Sequence, residues 1–208
     1  VFTGGGILDL TGNVALKLDT DLTVDNANVD LRFGGSVTTS GDGVMTVAPG
    51  SLLTLTSETI NTDLVVEGTL QAENAFSTIN NAVTVADGGE FRIGGDNFND
   101  GQVFLNASLT NRGTFTLDHT GNTGDFAEIN ISTGILDNTG LIRTRDDQGG
   151  AAEYTIEGTV LNAGVVDVEH DLELELAGAQ LETSAGALFV ATGKTLEAFG
   201  GEVFFGQD

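Results

Sequence analysis

Leu109-Thr-Asn-Arg-Gly-Thr-Phe-Thr-Leu117 has two close copies in this 208-residue chain, Leu136-Asp-Asn-Thr-Gly-Leu-Ile-Arg-Thr144 and Val160-Leu-Asn-Ala-Gly-Val-Val-Asp-Val168. Each is an apolar residue, a spacer, Asn, a spacer, Gly and then an alternating segment. Aligned on Gly113, Gly140 and Gly164, the copies lie 27 and 24 residues apart. Looser copies extend the series to Gly43, Gly68, Gly89 and Gly186, with successive gaps of 25, 21, 24, 27, 24 and 22. A period of roughly 24 residues with variable insertions is the mark of a coiled solenoid.

The columns of this alignment define a strand with one dry face. Two residues past the glycine stand Met45, Leu70, Phe91, Phe115, Ile142, Val166 and Leu188; four past it stand Val47, Ala72, Ile93, Leu117, Thr144, Val168 and Val190. These are expected to point inward. The residues between them, Thr46, Gln71, Arg92, Thr116, Arg143, Asp167 and Phe189, are mostly polar and are expected in water. The seven glycines read as turn residues with φ > 0, where a side chain would clash. Two places before the glycine, Asp87, Asn111, Asn138, Asn162 and Ser184 form a second column, expected to stack as a polar ladder at a coil corner.

No segment shows a helical period, and with 30 Gly against 1 Pro the turns rest on Gly, Asn and Asp. The chain therefore reads as all-β, a parallel β-solenoid of roughly eight coils about 24 residues long, in a single domain over residues 1–208. Its repeat runs almost to both ends without an obvious cap. That predicts a segment of a longer protein whose open sheet edges stack end to end with other copies.

Seven basic residues face 31 acidic ones, a formal net charge of −24. Phosphate recognition draws on Lys and Arg clusters, so nucleic acid is excluded as a partner, and an anionic membrane surface is disfavoured. No apolar run approaches the roughly 18 residues of a membrane span, so insertion is not expected. The acidity favours solubility, cationic partners or calcium. With no Cys there is neither a disulfide framework nor thiol chemistry.

The three Asn-x-Gly segments resemble the rungs of the right-handed β-helices in filamentous-haemagglutinin-type adhesins and autotransporter passenger domains. The resemblance is strict over about three coils and loose from Val37 to Thr192. It implies a right-handed parallel β-helix that is part of a large secreted or surface-displayed exoprotein, working in adhesion or cell-to-cell contact with a host or cell-surface ligand.

β-Helices also carry polysaccharide lyases and hydrolases, which cluster carboxylates with Lys or Arg in a cleft. The nearest set is Arg143, Arg145, Asp146, Asp147, Asp167 and Glu169. Stacking explains it without chemistry: Asp118, Arg145 and Glu169 fall on consecutive coils, and Arg143 lies between Thr116 and Asp167, an alternation of charge up one face. Gly94-Gly-Asp-Asn-Phe-Asn-Asp-Gly101 fails the EF-hand pattern at Phe98 and Ala107. Loop calcium through Asp96 and Asp100, or through Asp146 and Asp147, is the one cofactor left open. Six places past the glycine, His119, Asp146 and His170 form a column in which an acid would sit between two imidazoles. No residue is assigned a catalytic or metal-binding role. The expected function is a stiff acidic rod in an extracellular adhesin or surface filament; the alternative is a carbohydrate-active β-helix, including a phage-tail-type glycan depolymerase.

Overall fold

The computed structural model describes residues 6–25, 29–33, 35–73, 76–95, 101–119, 126–146, 153–183 and 185–206. Among these there are 27 short strands and no helix. The chain visits three faces in turn and returns to pair each strand, in parallel, with the one a coil earlier. The first face is a nine-stranded sheet from Val14–Lys17 to Leu196–Phe199, and the second a nine-stranded sheet from Leu22–Val24 to Glu202–Phe205. The third is a seven-stranded sheet from Leu52–Leu55 to Ala187–Val190, preceded by the pair Gly6–Leu10 and Val29–Phe33. This is the parallel β-solenoid that the repeat predicts. Coil lengths on the second face range from 19 residues, Met45 to Leu64, to 27, Leu109 to Leu136.

Alternation packs the inside. Leu70, Phe91, Phe115, Ile142 and Val166 line one inward column of the third face, all buried, with the Phe91 and Phe115 rings 5.6 Å apart and tilted by 46°. Each such ring removes a large apolar area from water, and its truncation to Ala would cost about 3–5 kcal/mol. The core is continuous along the axis, its buried apolar residues forming one cluster from Leu18 to Leu181.

The register confirms six of the seven aligned glycines and moves the seventh. The residues that follow Gly68, Gly89, Gly113, Gly140, Gly164 and Gly186 pair in one unbroken row on the third face. Gly43 belongs elsewhere: the strand after it, Met45–Val47, pairs with Leu64–Val66 on the second face. In that coil the place of the glycine is taken by Ser51, which precedes Leu52, the partner of Thr69. Met45 and Val47 are buried as expected, but an apolar-x-apolar triplet fits either face, so the pattern alone could not choose between them.

The reason for glycine also differs from the expectation. None of the seven has a positive φ. What excludes a side chain is the coil below: a Cβ on Gly113, Gly140 or Gly164 would come within 3.0 Å of the carbonyl oxygen of the preceding glycine in the stack. Those carbonyls are committed partners, Gly113 O accepting from Leu141 N at 2.9 Å and Gly140 O from Val165 N at 2.8 Å. The corner is a place of close backbone approach along the axis, which only hydrogen at Cα permits.

Candidate functional site

Three groups of polar residues stand out on this frame: two ladders and one charged face. The second face carries an inward column that reads Val24, Val47, Val66, Val85, Asn111, Asn138, Asn162 and Thr183. Asn111, Asn138 and Asn162 form the expected ladder, and all three are buried. Asn111 Nδ2 donates to Asn138 Oδ1 and Asn138 Nδ2 to Asn162 Oδ1, both at 2.7 Å. The second proton of Asn111 goes to Leu141 O at 2.9 Å and that of Asn138 to Val165 O at 3.2 Å, tying each corner to the next strand. Thr183 ends the polar run, its Oγ1 accepting from Asn162 Nδ2 at 3.4 Å, and Phe205 follows it in the column.

Two expected members fall away. Asp87 does not reach the ladder, because Val85 is the residue paired with Asn111. The corner Val85-Ala-Asp-Gly-Gly89 is two residues longer than Asn111-Arg-Gly113, and the extra turn through Gly88, at φ +82°, carries Asp87 out into solvent. Ser184 lies outside the described residues, and the stacked position belongs to Thr183.

A second amide ladder has no counterpart in the sequence reading. At the end of the first face, Asn80 Nδ2 donates to Asn61 Oδ1 at 2.6 Å and Asn106 Nδ2 to Asn80 Oδ1 at 2.7 Å, and Ser132 Oγ donates to Asn106 Oδ1. Asn61 anchors it by donating to Thr39 O at 2.8 Å. Its signal is an Asn directly after the closing apolar residue of a strand, in Ile60-Asn61, Ile79-Asn80 and Leu105-Asn106, without the glycine that marks the first ladder.

The charged face is the outside of the third sheet. Thr116 pairs with Arg143 and Arg143 with Asp167, while Asp118 pairs with Arg145, as counted. The side chains reach further than the alternation suggested. Arg143 spans two coils to Glu90 at 3.1 Å, Thr116 donates to Glu90 at 2.7 Å and accepts from Arg143 Nε at 3.2 Å, and Arg92 pairs with Asp118. Thr116, expected in water, is thereby buried at 1% exposure, as is Asp118. Three of the seven basic residues are gathered here, and their nearest acids engage Arg92 and Arg143 in ion pairs. Asp147 lies outside the described residues, as does the side chain of Asp146.

One carboxyl enters the core. Glu58 is 1% exposed on the first face, where its column otherwise holds Val37, Ser77 and Val103. It accepts from the backbone N–H of Thr56 and Ser57 and, at 3.5 Å, from Ser77 Oγ. Burial raises its pKa above the ordinary carboxylate value, the N–H donors opposing the rise. On the outside of the same face, burial and then the charges of Glu175 and Glu128 raise Glu157, which Asn130 hydrogen-bonds. Neither was singled out in the sequence, where 31 acids gave no reason to prefer these.

The backbone places His119 opposite Asp146. His119 is fully buried, and His170 meets the Tyr154 ring edge-on at 5.6 Å with its backbone bonded to Thr144 Oγ1. Among the described residues no group of three or more His, Cys, Asp or Glu is arranged to hold a metal ion. The calcium candidates Asp96 and Asp100 lie outside them. No protein-family model, curated protein or solved structure matches this chain.

Proposed function

We propose that this chain is a structural rod, a segment of an extracellular adhesin or surface filament that holds other elements at a distance and joins them along its axis. The observation that carries the reading is the continuous core with its buried amide ladder, in which each coil completes the hydrogen bonds of its neighbours. Bending such a stack breaks contacts on one side, so the object is stiff. Two nine-stranded faces give a length of about 40 Å at the spacing of paired strands. The net charge of −24 keeps such rods soluble and apart laterally.

Antibody labelling and protease shaving of intact source cells test the placement. Labelling at the surface supports it, and protection until lysis contradicts it. Small-angle scattering tests the rod, which must give an elongated particle.

One observation favours the glycan-active alternative. Phe76, 58% exposed, stacks on Phe104 at 6.5 Å on the outside of the first face, beside Gln102 and Asn130. Aromatic planes flanked by amides suit sugar rings. Reducing-end release from a panel of acidic and neutral polysaccharides decides it, and loss of any such activity in Phe76→Ala would tie it to this patch.

A further inference from the structure

The outside of the first face carries a stripe of side chains that a rod has no need of. Taking one outward residue from each of five consecutive coils, in two adjoining columns, gives Phe76, Phe104, Glu128, Glu157 and Glu175. Phe76 is left in water with its ring stacked on Phe104, the two planes 29° apart. Gln102 and Asn130 fill the same columns beside the rings. Amides border the stripe as well, since Asn80 and Asn106, held in the second ladder, come two places after Thr78 and Phe104 on their strands.

The third face shows the contrast. There Arg92 and Arg143 pair with Asp118 and Glu90. The first-face strands from Phe76–Ile79 to Leu172–Glu175 hold no Lys or Arg, yet Glu157 and Glu175 are direct partners in the register. Like charges directly opposite on paired strands are destabilising. Burial and the charges of Glu175 and Glu128 raise the pKa of Glu157, so a bound cation would relieve this face. Apolar rings in water at one end and unneutralised carboxylates at the other fit a ligand that both stacks and carries positive charge.

Spacing chooses between two such ligands. Successive coils lie about 4.8 Å apart, whereas an extended basic peptide would repeat its same-side charges every 7 Å or so, out of step with them. An extended β-linked glycan advances by close to one coil per sugar. Its rings stack through their C–H faces on aromatic planes, and its hydroxyls suit amides.

We infer that the outside of the first face is a binding platform for an extended glycan of amine-bearing sugars. The chain lies along the solenoid axis, with sugar rings on Phe76 and Phe104 and ammonium groups on Glu128, Glu157 and Glu175. This gives the extracellular rod a ligand and rests on that reading; unlike the glycan-active alternative, it requires no bond to be broken.

Calorimetric titration with hexamers of glucosamine, of N-acetylglucosamine and of galacturonic acid tests it, at mildly acidic pH where the amines are charged. The glucosamine hexamer should bind about tenfold tighter than its acetylated form, and the uronate should not bind. Phe76→Ala and Glu157→Gln should each weaken the glucosamine hexamer several-fold, while Asp137→Asn, which removes the same charge from the second face, leaves it unchanged. Oligolysine should bind more weakly and be indifferent to Phe76→Ala. Equal affinity for the three hexamers, equal losses in Glu157→Gln and Asp137→Asn, or no binding of the glucosamine hexamer overturns the inference. A protein that binds none of these sugars but is elongated in scattering loses this site and keeps the rod, whereas a compact particle removes the rod reading.

Discussion

The coils before Arg112 and those after it bury polar groups by different means. In the early coils the inward column of the second face is valine, Val24, Val47, Val66 and Val85, and the buried carboxyl is Glu58 on the first face. In the later coils the same column is Asn111, Asn138 and Asn162. An amide carries a donor and an acceptor, so a translated copy of itself satisfies it, coil after coil. A carboxylate accepts only. Stacked carboxylates repel, so Glu58 stands alone and draws its donors from Thr56, Ser57 and Ser77. Repetition along an axis selects side chains that complement themselves, and where the two regimes meet there is a fault. Asn111 Oδ1 is buried without a partner, because Val85 occupies the place of the next amide.

The comparison can be pressed in four ways. Phe115→Asp places a carboxylate inside the later coils, in a packed column unlike the Glu58 niche, and should cost about 4 kcal/mol or more, to the point of losing the cooperative melt. Thr23→Asp, exposed on an early coil, should be nearly silent in the same melts. Asn138→Ala removes the centre of the ladder and leaves polar atoms of both neighbours unpaired, a loss of about 2–3 kcal/mol by denaturant titration. Glu58 acts through pH. Its folded pKa lies above the unfolded one, so its contribution is complete below about 4.5 and is lost as pH rises through the folded value. Glu58→Gln should flatten that slope and be the more stable variant at neutral pH by about 1 kcal/mol. Val85→Asn should have the smallest effect of the changes at buried positions. It supplies a donor to Asn111 Oδ1 at the expense of a buried valine, so it should change stability by less than about 1 kcal/mol while Val85→Ala loses more.

Much of this was legible in the sequence. The strict Asn-x-Gly coils gave the solenoid, the period, the inward columns from Leu70 to Leu188 and the amide ladder, because there the spacing between landmark residues is constant. Where a corner lengthens, counting from the glycine fails. Two extra residues moved Asp87 off the ladder, and a shorter early coil put Met45 on a different face. The close-packed role of the glycines depends on carbonyls some 24 residues away, and the pairing of Arg143 with Glu90 spans two coils; neither leaves a local mark. Glu58 directly precedes a two-residue strand, Thr59–Ile60, too short to show alternation.

The central claim, that stacked amides hold the later coils by completing each other, is tested most directly by a double-mutant cycle on Asn138→Ala and Asn162→Ala, followed by equilibrium unfolding. Coupling of at least about 0.5 kcal/mol is expected, the double variant losing less than the two single losses together, with Asp87→Ala and Asn138→Ala additive as the control. Additive losses for Asn138 and Asn162, within about 0.3 kcal/mol, would contradict it.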